Sequence, residues 1–136
     1  MGVGKRDRRV RGAVEEAEAS TGLQFCVYLG PATDDPRELA ERLFLGAEHE
    51  GQHPAVLLAV CTTQHRVEIL TADWVRERIP DASCDTAIEL MRPALRSGAY
   101  DEALVTAIGH LASVAGTGDR RAGGVELPDF FDERER

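Results

Sequence analysis

Residues 55–70 read AVLLAVCTTQHRVEIL, and their pattern predicts the centre of a β-sheet. The run over residues 55–60 is entirely apolar, as in a central strand that is covered on both faces. Residues 62–65 are polar and predict a turn, whereas residues 66–70 alternate between polar and apolar side chains, which is typical of a more peripheral strand. Because a short turn joins antiparallel neighbours, the stretch predicts a hairpin with one buried strand.

Two helices and a further strand are predicted before this hairpin. Residues 8–20 carry apolar side chains at helical spacing, and Gly22 ends that helix because glycine readily adopts the left-handed conformation. Residues 23–29 form a short apolar strand, and Asp35 before Pro36 is typical of the start of the next helix. Strand, helix and strand in this order predict a parallel pair with a right-handed crossover.

Helices also follow the hairpin. Residues 73–79 predict a short helix or turn, and residues 83–96 predict a longer helix that Pro93 should kink. Asp101 is expected to cap a last helix, which ends near Ala115. The predicted order is α-β-α-β-β-α-α, and the predicted fold class is α/β, with a small mixed β-sheet flanked by helices on both faces.

The length of 136 residues corresponds to one domain. Residues 8–116 carry the periodic apolar pattern and form the predicted α/β domain. Residues 1–7 are expected to be a flexible N-terminus, and residues 117–136, rich in Gly, Arg and acidic residues, a flexible C-terminal tail.

Charge and cysteine content exclude several classes of protein. A net charge of −8 and a pI near 5.0 argue against a nucleic-acid partner, which requires a clustered cationic surface. No apolar run approaches the ~20 residues of a membrane span, so we expect no membrane insertion. The three cysteines, Cys26, Cys61 and Cys84, have no disulfide pattern. We therefore expect a cytoplasmic protein with reduced thiols.

Four short features, in order and at their spacing, carry a family resemblance. They are Ser20-Thr21-Gly22-Leu23, the strand and hairpin over residues 56–69, Ile79-Pro80-Asp81, and Pro93 followed by Gly98-Ala99-Tyr100-Asp101. From about Arg8 to Ala115 the chain resembles the TPM domain family, which includes thylakoid lumen proteins and animal receptor modulators. From the Arg- and Ala-rich composition we expect a divergent, actinobacterial branch of this family. The resemblance implies the mixed sheet predicted above and a site for a divalent cation, Ca²⁺ or Mg²⁺, with phosphatase activity.

Two loops depart from the pattern of the family. Before the central strand the family has an acidic residue or Asn and a Gly, and this chain has Gly51-Gln52-His53-Pro54 instead. After the third strand the family favours Gly-x-Gly, and this chain has Thr71-Ala72-Asp73-Trp74. In the family both loops lie near the suggested ion site. We therefore expect a non-catalytic interaction or ligand-binding module, and the alternative is a divalent-cation-dependent, phosphatase-like hydrolase.

The candidate binding surface comprises Asp34, His53, Asp73, Trp74 and Asp81, and no catalytic residue is assigned. Asp34 follows the first strand and Asp73 the third, and ligands of open α/β sheets favour the carboxyl ends of strands. Clustered carboxylates would suit Ca²⁺ or Mg²⁺. The alternatives are that Asp81, like Asp35, caps a helix, and that Trp74 covers the end of the core.

The string His49-Glu50-Gly51-Gln52-His53 matches the zinc-peptidase pattern, which requires both histidines on one continuous helix. Gly51 within it and Pro54 after it break such a helix. We therefore predict no metal site, with zinc binding by His49 and His53 as a minor alternative.

The tail offers a possible contact with a protein partner. Leu127, Phe130 and Phe131 lie in an acidic setting, and such a segment can dock into the groove of a partner and become ordered there. The alternative is that it folds back onto its own domain.

Overall fold

The computed structural model describes residues 5–32 and 35–117. The elements, in chain order, are α1 (Lys5–Thr21), β1 (Gln24–Gly30), α2 (Pro36–His49), β2 (Pro54–Cys61), β3 (Arg66–Thr71), a 3-10 turn (Asp73–Val75), α3 (Asp81–Arg96) and α4 (Tyr100–Ala115). The α/β class and the predicted order of helices and strands are confirmed. The first helix begins three residues earlier than residue 8, at Lys5.

The three strands form one sheet in the order β1-β2-β3. β1 and β2 are parallel, with Gly30 opposite Cys61, and β2 and β3 are antiparallel, with Val56 opposite Thr71. All eight residues of β2 are buried, so the apolar run is the central strand, as its composition predicts.

The two faces of the sheet are covered unequally. Val56, Leu58 and Val60 of β2 belong to a core cluster that includes residues of α1, α3 and α4. Leu57 and Ala59 point to the opposite face, where, among the described residues, they pack with side chains of α2 and of the flanking strands β1 and β3. Helices therefore lie on both faces, as predicted, with three on one side and one on the other.

The strand directions define two ends of the sheet. At the tryptophan end β1 and β2 begin and β3 ends, and the 3-10 turn that carries Trp74 comes two residues after the end of β3. At the hairpin end β1 and β2 terminate and the turn over residues 62–65 leads into β3. Ala32, just after β1, is held at the hairpin end by Thr63, whose Oγ1 donates to the Ala32 carbonyl oxygen at 3.0 Å.

The helix starts match the sequence prediction at one of three positions. Asp35 caps α2, where its carboxylate accepts from the backbone N–H groups of Arg37 at 3.1 Å and Glu38 at 3.2 Å. Asp81 does not cap α3: Pro80 holds the N-cap position and Asp81 is the first helical residue. Asp101 does not cap α4 either, because that helix already begins at Tyr100.

Asp101 has a different role from the one predicted. It lies in the first turn of α4, is buried, and accepts a hydrogen bond from Arg9 Nη1 at 2.9 Å. The carboxylate thus links α4 to α1 instead of binding the backbone of its own helix. The start of the helix determines which residue is the N-cap, and here the N-cap is Ala99, two residues before Asp101.

None of the helices within residues 5–32 and 35–117 is long and apolar enough to cross a membrane.

Candidate functional site

The candidate site at the tryptophan end is built on the loop between β3 and α3. Val75 and Ile79 of this loop are buried, with exposures of 1% and 0%. The backbone N–H of Ile79 donates to the Val75 carbonyl at 2.9 Å, which closes the loop into a turn. Because two side chains insert into the core, the residues between and before them are held in a defined place on the surface.

Arg78 joins this loop to two helices. Its Nη2 donates to the carbonyl oxygens of Thr21 at 2.9 Å and Gly116 at 3.0 Å, and its Nε donates to that of Ala115 at 3.2 Å. These carbonyls lie at the C-terminal ends of α1 and α4, where backbone acceptors lack helical partners and the helix dipole is negative. One guanidinium therefore fixes the loop, α1 and α4 relative to one another.

Trp74 is 58% exposed. It follows Asp73 in the 3-10 turn, directly before the buried Val75, so its backbone is fixed while its ring faces solvent. The alternative that Trp74 covers the end of the core is therefore wrong. An exposed tryptophan on a rigid turn is typical of an interaction surface.

Arg76 lies between the two acidic residues of the candidate surface. Its Nη1 is 3.2 Å from Asp73 Oδ1, and its Nε is 3.9 Å from Asp81 Oδ1. The side chains of Asp73 and Asp81 are 94% and 81% exposed, so these ion pairs contribute little to stability. The two carboxylates nevertheless share a cation that belongs to the protein itself.

His53 also lies at the tryptophan end, just before β2. Its backbone N–H donates to Gln24 Oε1 at 3.2 Å, and Gln24 Nε2 donates to Gln52 Oε1 at 2.7 Å. Gln24 is the first residue of β1, so these bonds join the loop before β2 to the neighbouring strand. The residue His53 is exposed.

The predicted surface is only partly assembled. His53, Asp73, Trp74 and Asp81 lie at the tryptophan end, in the loop before β2, in the 3-10 turn and at the start of α3. Asp34 lies outside the described residues, but its neighbour Asp35 begins α2 after β1, whose last residue is opposite Cys61 at the hairpin end. The carboxyl ends of β1 and β3 face opposite ways because β3 is antiparallel, so the loops after these two strands do not meet.

The string from His49 to His53 does not form a continuous helix, which agrees with the break predicted from Gly51 and Pro54. α2 ends at His49, Glu50 is its C-cap, and Gly51 adopts a φ of +84° in the left-handed region, so His53 leaves the helix. Within residues 5–32 and 35–117, no group of three or more His, Cys, Asp or Glu side chains is placed to hold a metal ion. Leu127, Phe130 and Phe131 lie outside the described residues.

The three thiols are free. Burial raises the pKa of Cys84 to about 11, with smaller contributions from Asp81 and Asp85, and burial with the charge of Glu18 raises the pKa of Cys26 to about 11. Burial is also the main reason that the pKa of Cys61 is raised. Since the thiolate is the reactive form, none of these residues has the environment of a catalytic nucleophile.

Sequence reasoning missed Arg76 and Arg78. Arg76 is three residues after Asp73, a spacing at which opposite charges pair on a helical turn, so the sequence contained a signal for it. No local pattern in the sequence indicated the role of Arg78, because its acceptors are 37 to 57 residues away along the chain.

A protein-family model described as "TPM domain" matches residues 5–114, which is most of the 136-residue chain. The chain belongs to the TPM domain family. A search of curated proteins found no match.

Solved structures share the fold of this TPM domain. The BA42 protein from the psychrophilic bacterium Bizionia argentinensis superposes with a TM-score of 0.74 at 16% identity, covering 87% of this chain and 86% of that chain. The N-terminal domain of a protein from P. gingivalis superposes with a TM-score of 0.70 at 21% identity, covering 92% and 80%. The N-terminal domain of the cg2496 protein from Corynebacterium glutamicum gives 0.65 at 15% identity, covering 83% and 73%. At these identities the likeness establishes the fold.

Proposed function

We propose that this TPM domain is a non-catalytic binding module whose binding surface is formed by His53, Asp73, Trp74 and Asp81. The observation that carries the proposal is the position of Arg76, whose guanidinium lies between the carboxylates of Asp73 and Asp81. The charge that a divalent cation would supply at this place is supplied by the chain.

A cation-dependent hydrolase needs more than this surface offers. Hydrolysis of a phosphate ester with a metal ion uses the cation to stabilise developing charge and to activate water. Ca²⁺ takes about 6–8 oxygen ligands, whereas Asp73 and Asp81, the two carboxylates of the proposed surface, already pair with Arg76. A divalent cation at this position would have to compete with Arg76 and would be held weakly, which disfavours the phosphatase alternative.

A binding surface needs a preorganised anchor, and Trp74 has this property. The turn that carries Trp74 is fixed by Val75, Ile79 and Arg78, so little conformational entropy is lost when a partner binds. An acidic protein favours a cationic partner, and the face of an indole ring attracts cations. We therefore propose a partner segment with an apolar side chain next to Lys or Arg.

Catalysis is tested by incubating the pure chain with 4-nitrophenyl phosphate, in the presence of Mg²⁺, Ca²⁺ or a chelator. We expect the wild-type protein and the Asp73→Ala variant to give the same background release of nitrophenol. Cation-dependent turnover that disappears in Asp73→Ala would overturn the proposal in favour of a phosphatase.

Binding is tested by selecting peptides from a random phage-displayed library on the immobilised chain. We expect selected peptides to combine an apolar residue with Lys or Arg, and we expect Trp74→Ala to weaken them at least about tenfold, as for a central interface tryptophan. The matched control is Leu90→Ala, which removes another exposed apolar side chain, 46% exposed on α3, and should leave affinity unchanged. Selected peptides that bind equally well to Trp74→Ala would contradict the assignment of the surface.

A further inference from the structure

A cavity lies at the hairpin end of the sheet, away from the proposed binding surface around Trp74. A cavity of about 200 Å³ opens between the turn that joins β2 to β3 and the junction of α3 with α4. Its walls include the apolar side chains of Val60, Val67 and Leu95 and the ring of Tyr100. Such walls suit the hydrocarbon part of a ligand.

The other side chains that line this cavity are mostly cationic. Arg66, Arg92 and Arg96 contribute to the lining together with His65, and no Asp or Glu is among the described residues that line it. The chain as a whole carries a net charge of −8, so this concentration of positive charge runs against its composition. A local cationic lining in an acidic protein favours an anionic ligand.

Two carboxylates pair with arginines of this lining, although neither Glu68 nor Glu89 itself lines the cavity. Glu68 accepts from Arg66 Nη2 at 3.0 Å and from Arg37 Nη1 at 3.3 Å, and Glu89 lies 3.0 Å from Arg92 Nε. For Arg96, no ion pair is found among the side chains of the described ranges.

Arg96 is therefore the guanidinium of the three that is most available to a ligand. It lies four residues after Arg92 on α3, so both project from the same side of that helix. Arg66 already shares Glu68 with Arg37 and contributes positive charge at longer range.

The cavity also lies where open α/β sheets bind ligands. Val60 and Cys61 are the last residues of β2, which runs parallel to β1, so the cavity is at the carboxyl end of the parallel pair. The tryptophan end lies at the opposite, amino end of these two strands.

We propose that this cavity binds a small organic monocarboxylate, with the carboxylate against Arg92 and Arg96 and the apolar body against Val60, Leu95 and Tyr100. Guanidinium groups pair with carboxylates through parallel hydrogen bonds in one plane. The volume of about 200 Å³ is below the ~300–1,000 Å³ of sites for drug-sized ligands. The ligand is consequently of about the size of benzoate, and its binding is independent of the Trp74 surface.

The test is a titration of the ¹⁵N-labelled chain with sodium benzoate, followed by amide chemical shifts at constant ionic strength. A ligand of this size has few atoms with which to gain affinity, so we expect saturable shifts with a Kd of about 1 mM. The shifts should concentrate at Val60, Val67, Leu95 and Tyr100. Benzamide, which has the same shape without the charge, should bind at least about tenfold more weakly.

Variants of Arg92 and Arg96 test whether these two guanidinium groups bind the carboxylate of benzoate. Arg92→Gln and Arg96→Gln should each weaken benzoate about threefold, and the double variant about tenfold, since both guanidinium groups are partly solvated. The matched control is Arg42→Gln on α2, which removes one positive charge from the opposite face of the sheet and should leave the Kd unchanged.

Equal binding of benzoate and benzamide, shifts confined to other parts of the chain, or an unchanged Kd in the double variant would each overturn the proposal. So would the absence of any saturable shift while the spectrum of the chain shows that it is folded. Tighter binding of phenyl phosphate than of benzoate would overturn the choice of a carboxylate as the anionic group.

Discussion

The two ends of the sheet use arginine in different ways. At the tryptophan end Arg76 pairs with Asp73 and Asp81 on the surface, and Arg78 donates to three carbonyl oxygens and so joins its loop to two helices. At the hairpin end Arg92 and Arg96 line a cavity with apolar walls. Arginine is thus used for contacts within the protein at the tryptophan end, whereas Arg96 at the hairpin end has no ion pair among the described residues and remains available for an external anion.

The largest expected difference between the ends lies in their apolar packing. Ile79→Ala removes a side chain that is 0% exposed and should lower the free energy of unfolding by about 2–4 kcal/mol. Leu95→Ala, at the cavity, removes a side chain that is only partly buried and should cost about 1 kcal/mol. Urea denaturation followed by circular dichroism measures both. Equal losses would mean that the hairpin end is as tightly packed as the tryptophan end.

Thiol chemistry gives the next largest effect. With a pKa of about 11 in place of 9.0, Cys84 should be alkylated by iodoacetamide about a hundredfold more slowly at pH 8 than a free thiol. Arg76 lowers this pKa, so Arg76→Gln should slow the reaction further, while Arg66→Gln at the hairpin end should not. Mass spectrometry of the alkylated peptide reports each rate.

The raised pKa of Cys84 also determines whether the free energy of unfolding rises or falls with pH. The folded-state pKa of Cys84 lies above its unfolded value of 9.0, so the folded state retains the proton longer. The stability that the protonated Cys84 thiol contributes to the folded state is fully present below pH 9 and is lost as the pH rises through about 11. A urea midpoint for wild-type protein that rises over this interval relative to the midpoint of Cys84→Ala would contradict the assignment.

Arg78→Ala should lower the free energy of unfolding by about 2 kcal/mol. It removes three hydrogen bonds from a charged donor to carbonyls at two helix ends, although water reaches this half-buried site and offsets part of the loss. The control at the other end is Arg96→Ala, expected to change the same quantity by less than about 0.5 kcal/mol. Equivalent urea midpoints for the two variants would show that Arg78 does not join the helices energetically.

The smallest effect is expected for Arg76→Gln. The ion pairs with Asp73 and Asp81 are largely exposed, so the free energy of unfolding should change by less than about 0.5 kcal/mol. A thermal or urea midpoint that differs clearly from that of the wild-type protein would mean that this guanidinium, like Arg78, is structural.

Most of the fold could be predicted from local pattern. The apolar run in β2 identified the buried central strand, and the short turn after it identified the antiparallel hairpin. Asp35 before Pro36 identified the start of α2, because that capping geometry depends only on neighbours in the chain. Asp81 and Asp101 failed as predicted caps because propensity does not fix the first helical residue to within one position.

The candidate site was predicted less well. The rule that ligands bind at the carboxyl ends of strands was applied to Asp73 after β3, although the rule concerns parallel strands and β3 was itself predicted to be antiparallel. Applied to the parallel strands β1 and β2, the rule places a ligand site at the hairpin end. The cationic cavity there could not be predicted, since it joins Arg66 in β3 to Arg92 and Arg96 in α3 through tertiary packing alone.

The bonds from Arg78 to the Ala115 and Gly116 carbonyls also place the end of α4 beside the loop that carries Trp74. α4 finishes at the tryptophan end, so the backbone at Gly116 lies on the same side of the molecule as the indole ring. A peptide joined after Thr117 through a short flexible linker that reaches the ring would act as an intramolecular ligand, at an effective concentration of roughly millimolar. Even a weak binder could then occupy the surface, which makes this junction a natural position for a tethered inhibitor or a reporter.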